Sequence, residues 1–88
     1  MKETELAQHV VSSLEHEGWD VYKEVEGRGG RCDIYAVLGS LSWAIEVKVT
    51  FGLKVIEQAY NWIGAANLVS IAVPRTTNRF GRRNPTST

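Results

Sequence analysis

The sequence predicts a single α+β domain with a mixed sheet, its elements running αβββαβ. Three observations carry this. Stretches 3–17 and 53–66 repeat apolar residues at helical spacing, whereas 19–26, 32–38 and 42–49 read as strands. A short apolar run, Leu68 to Val73, closes at Pro74 and reads as a last strand. Eighty-eight residues hold one domain, and 43% apolar residues with three Trp suffice for a small core. The core spans 1–74, and 75–88 form a basic, flexible C-terminal tail.

In the first helix Leu6, Val10 and Leu14 lie four apart with Val11 beside them, and Gly18 marks the stop. Val21, Tyr22 and Val25 suggest a short strand, after which Gly27-Arg-Gly-Gly30 breaks regular structure. Gly39-Ser40 between two β-rich runs is a type II′ hairpin signal. In the second helix Leu53, Ile56, Tyr60 and Ile63 form one apolar stripe, and Val55, Ala59, Trp62 and Ala66 form another. Burial on more than one side is therefore expected.

Formal net charge is +0, but the charges are unevenly placed. Residues 1–74 hold all ten acids and six of ten bases, a net −4, while Arg75, Arg79, Arg82 and Arg83 sit in a tail without an acid. That tail is suited to phosphate contact, or equally to a solvated terminus. The one cysteine, Cys32, allows no intramolecular disulfide and suits a reducing cytoplasm. It has no partner suggesting a zinc site or a thiol nucleophile. No leader or apolar run of membrane length is evident, so a soluble, unexported protein is expected. His9 and His16, two helical turns apart, read as surface residues. No phosphate-loop signature is present, so no nucleotide cofactor is expected.

With Gly39-Ser40 as the turn, Leu38 opposes Leu41, and the same register sets Asp33 opposite Glu46. Opposed residues project to one side of a sheet with Cβ atoms about 4.5–5.5 Å apart. Lys48 shares that side. The other side pairs Cys32 with Val47, Ile34 with Ile45 and Ala36 with Trp43, all apolar. Like charges facing across a ladder destabilise it unless a cation or proton lies between them. Two hard oxygen donors beside a Lys suit Mg²⁺ or Mn²⁺. The bland alternative is a surface cluster neutralised by Lys48.

Asp33 entering strand two, Glu46-Val-Lys48 in strand three and the αβββαβ order resemble the PD-(D/E)xK nuclease superfamily, the restriction-endonuclease-like fold. The stretches GGRCDIYAV and WAIEVK, followed by a helix carrying Gln58, are most similar to Holliday-junction resolvases and VRR-NUC-type nucleases. The Pro that names the motif is absent, with Cys32 in its place. The resemblance covers roughly residues 5–73.

It implies a Mg²⁺- or Mn²⁺-dependent DNA endonuclease selective for branched, flapped or four-way DNA. Asp33 and Glu46 would bind the ion with the Val47 carbonyl, and Lys48 would orient the attacking water. Glu5 would complete the site, or serve as a favourable helix-start charge. Gln58 matches a Gln on the corresponding helix of many members; Trp62, four residues on, reads as core. Arg28, Arg31 and Lys54 would contact DNA around the site, joined by Arg75, Arg79, Arg82 and Arg83. The Gly27–Gly30 loop is a further place where backbone could approach phosphate. Cutting two strands calls for two sites, hence a homodimer. The setting implied is a prokaryotic or phage-infected cytoplasm, and the alternative is a catalytically silent nuclease-fold module that binds nucleic acid or another protein.

Overall fold

A computed structural model describes residues 2–50 and 52–74. The elements are α1 (Glu3–His16), β1 (Asp20–Gly27), β2 (Gly30–Leu38), β3 (Leu41–Val47), α2 (Leu53–Tyr60) and β4 (Leu68–Ala72). They form a small α+β domain with one four-stranded mixed sheet in the order β1-β2-β3-β4. β1, β2 and β3 pair antiparallel, while β4 joins β3 in parallel after the α2 crossover. Among the described residues no helix is long and apolar enough to cross a membrane.

Helix α1 forms where the four-residue apolar spacing predicts, and it stops at the glycine. Trp19 N–H reaches Leu14 O and Gly18 N–H reaches Glu15 O, both at 3.0 Å, with Gly18 at φ +99°. That is the Schellman closure, which satisfies carbonyls the helix end would leave bare. Leu6 and Leu14 then pack on Ile34, Ala36, Ile45 and Val47, forming the core on one face of the sheet. The β2–β3 hairpin adopts the expected register, Leu38 opposite Leu41 and Ile34 opposite Ile45, with Gly39 at φ +63°. At the start of β4, Asn67 Oδ1 accepts the Ser42 N–H at 2.8 Å and pins the crossover to β3.

Three details depart from the sequence reading. Helix α2 ends at Tyr60 rather than 66, capped by Asn61 and followed by turns that include Gly64 at φ +91°. Only one of its two apolar stripes is covered: Val55, Ala59 and Trp62 are buried, while Leu53, Ile56, Tyr60 and Ile63 are exposed. The turn swings Trp62 onto the second face of the sheet, where it packs with Cys32 and Ala44.

The third departure is an inversion within the sheet. Val21 packs in the α1 core and Val25 in the Trp62 core, although four residues apart on a strand they should share a face. Ile34 and Cys32 divide in the same way, so Cys32 does not share the apolar face of Ile34. Between these pairs the β1–β2 ladder skips one position, Glu24 opposite Asp33, and Glu24 has φ +54°. It is the only positive-φ residue other than glycine among those described. One left-handed residue is enough to turn the strand over and reverse the alternation beyond it.

Trp62 also accounts for part of the glycine loop. A Cβ built on Gly29 would stand 2.7 Å from Trp62 Cδ2 and 2.8 Å from the Asn61 carbonyl oxygen. The indole occupies the space a side chain would need.

Candidate active site

Antiparallel pairing of β2 with β3, and parallel pairing of β3 with β4, gather four features at one end of the sheet. These are the start of β2 with Arg31 and Asp33, the end of β3 with Glu46 and Val47, Lys48 just beyond, and the end of β4. Lys48 continues the last pairing through its N–H, which donates to Ala72 O at 3.0 Å.

Asp33 stands at the inversion. Its Oδ2 accepts the Val47 N–H at 2.8 Å. A strand N–H points along the sheet toward its neighbour, so this carboxylate lies between β2 and β3, near the plane of the sheet. The same residue lines a cavity of about 490 Å³ with Glu3, Thr4 and Gln8 of α1 and with Lys23 and Glu24 of β1.

Glu46 is the buried partner, only 2% exposed, and its Oε2 has no hydrogen-bond partner among the described residues. Burial raises its pKa to about 7, reinforced by the charge of Asp33 and by a hydrogen-bonding contact with that carboxyl, while Lys48 pulls it down. The two acids therefore come into reach of each other just beyond the last paired position, Ile34 opposite Ile45, and share one negative charge more readily than two. The same environment pushes the Cys32 thiol up to about 11, burial first and then Glu46 and Asp33. This thiol is no nucleophile at neutral pH.

Other residues singled out in the sequence fall in varied places. Glu5 is exposed in the first turn of α1, where its Oε1 accepts the Lys2 N–H at 3.3 Å, and the cavity wall beside Asp33 uses Glu3 instead. Gln58 is half-buried on α2, and neither its Oε1 nor Trp62 Nε1 has a hydrogen-bond partner among the described residues. Trp62 itself is 3% exposed, in the core. Arg28 in the β1–β2 turn, Arg31 and Lys54 are all exposed. Arg75, Arg79, Arg82 and Arg83 lie outside the described residues, which end at Pro74. Among the described residues no three His, Cys, Asp or Glu side chains are grouped to hold a metal ion. The residues beside Asp33 missed from sequence are Glu3, Thr4 and Gln8 of α1 and Lys23 and Glu24 of β1, because nothing in the letters says which face of α1 meets the strand or marks a left-handed glutamate inside it.

Compared with known protein families, with curated proteins and with solved structures, the chain matches none.

Proposed function

We propose that this chain is a divalent-metal-dependent DNA endonuclease of the restriction-endonuclease-like kind, hydrolysing phosphodiester bonds in branched, flapped or four-way DNA. One observation carries it: the acid pair Asp33 and Glu46, with a Glu46 oxygen buried and unpartnered. A fold has no structural use for such a pair, since two facing carboxylates lower stability. An orphaned carboxylate oxygen beside a second carboxylate fits a hard cation. Asp33, Glu46 and the Val47 carbonyl would hold Mg²⁺ or Mn²⁺. When bound, that ion supplies a more acidic water and charge stabilisation at the phosphate.

The remaining work falls to the protein. The Val47 N–H fixes the orientation of the Asp33 carboxylate, in the manner of an outer-shell hydrogen bond. Lys48, whose charge is felt at Glu46, stands ready to align a water or steady the phosphate. Arg28 and Arg31 share this end of the sheet, and Lys54 opens the helix that follows, so backbone phosphates would be met by cations. Two copies would act on two strands, in a cytoplasmic setting.

The second reading is a nuclease-fold module that binds nucleic acid without cutting, and it is favoured by the absence of a third grouped ligand among the described residues. Incubation with linear, flapped and four-way DNA in Mg²⁺, Mn²⁺ or chelator separates the two. Cleavage that needs metal and disappears in Asp33→Asn and Lys48→Ala supports the first. Salt-sensitive binding with no cleavage in either metal supports the second, and cleavage that survives both substitutions rejects the residue assignments.

A further inference from the structure

We propose that the outer stripe of α2, with the groove beside it, is where a second copy of this chain docks. Leu53 and Tyr60 on α2 are 81% and 69% exposed with Ile56 between them, and Ile63 in the turn that follows, 64% exposed, lines the same cavity wall as Ile56 and Tyr60. Beside the stripe a cavity of about 510 Å³ opens between α2 and β4, with Val69 and Ile71 in its wall. β4 is the outermost strand, with no neighbour on its far side among the described residues.

The area decides the occupant's class. From their exposed fractions these four residues leave on the order of 500 Å² in water, within the range of the largest apolar patch an ordinary monomer exposes. Two copies meeting there would bury up to about 1,000 Å², the low end for a specific interface and the size expected of a weak, micromolar dimer. A two-fold arrangement sets each stripe against its own image, so the apolar face finds an equally apolar partner. Charge agrees: α2 carries one base, Lys54, and one acid, Glu57, so two helices meet without net repulsion. A nucleic acid fits poorly, since this neutral, apolar face offers no cluster of cations to phosphates. The surface stands whether or not the proposed chemistry holds; if it does, the dimer supplies the second active site.

The test is light scattering coupled to size exclusion on the full chain, from about 1 to 100 µM, a range that brackets a micromolar Kd. The expected result is a mass rising from one chain to two. The variant Leu53→Glu/Tyr60→Glu should dimerise at least tenfold more weakly with an unchanged circular dichroism spectrum. Tyr22→Glu, an exposed change on β1, should dimerise like the parent protein. If the double glutamate variant loses its folded spectrum, Leu53→Gln/Tyr60→Gln carries the same comparison. A parent protein of single-chain mass at every concentration overturns the proposal, whether residues 75–88 or another protein covers the stripe. So does a folded stripe variant that dimerises like the parent.

Discussion

Replacing Glu46 by Gln isolates what burying one acid beside another costs the fold. Burial and then Asp33 raise the Glu46 pKa from 4.5 to about 7, with Lys48 opposing. An unfolded chain titrates this carboxyl at its ordinary, lower value. Between the two values the folded state keeps a proton that the unfolded state has released. Stability therefore falls as pH rises through that window, and the loss is complete once pH exceeds the folded value. At about 1.4 kcal/mol per pKa unit the shift amounts to about 3 kcal/mol, or nearer 2 once solvent at the sheet end screens it. Gln keeps the shape and can donate to Asp33, but it does not ionise. In chelator, the variant should match the parent near pH 4.5 and exceed it by about 2–3 kcal/mol near pH 8. For a domain of this size that is a melting point higher by about 10–20 °C. Circular dichroism melts of both proteins across this range read the difference directly. A Gln variant equal to or less stable than the parent near pH 8 would refute the argument that the pair is uncompensated.

Adding Mg²⁺ near pH 8 should raise the melting point of the parent and leave Glu46→Gln unmoved, because ligand binding to the folded state alone stabilises it; an equal rise in both proteins would place the ion elsewhere. Gly29→Ala should cost about 2–3 kcal/mol by forcing the Trp62 indole and the Asn61 backbone apart, seen as a lower urea midpoint with an unchanged slope. Glu24→Gly should raise stability by about 1 kcal/mol by relieving the left-handed backbone, and a loss on thermal melting would mean that the Glu24 side chain holds the inversion in place. If the tail arginines contact phosphates, removing residues 75–88 should flatten the salt dependence of DNA binding by up to about four counterions; an unchanged slope would assign the tail to solvent.

Most of the fold was legible because it is written in local rules. The four-residue spacing in α1, the glycine that ends it and the Gly39-Ser40 reversal each act within a few residues, and each is found in place. The hairpin rule then carried information across the sheet, since one turn fixes the opposed pairs back to Ile34 and Ile45, and it fails only beyond them, at the inversion. What the letters did not carry depends on packing at a distance. Ile63 and Ala66 continue the α2 periodicity, but Asn61 and Gly64 end the helix and the sheet takes Trp62 from the turn. Glu24 belongs to the same class: its φ answers to the demand of two opposite cores, not to its neighbours in sequence.

That inversion changes how the acid pair is made. In an unbroken ladder Asp33 and Glu46 would stand side by side on one face of the sheet, each able to turn outward to water. Here the strand turns over at Glu24 and Asp33, which sends Cys32 into the Trp62 core and Ile34 into the α1 core. Asp33 is left between the two faces, held near the sheet plane by the Val47 N–H. Glu46 projects to the same face as Ala44 and is buried, with 2% of its surface exposed. The two carboxyls are thus held by different restraints, one by a backbone hydrogen bond and one by burial, and neither can relieve the repulsion by rotating away. A proton relieves it at low pH and a cation would do so above neutrality. On this argument the strained glutamate and the acid pair are one device, and Glu24→Gly and Glu46→Gln made together should be non-additive in stability by about 1 kcal/mol, whereas two independent sites would simply add.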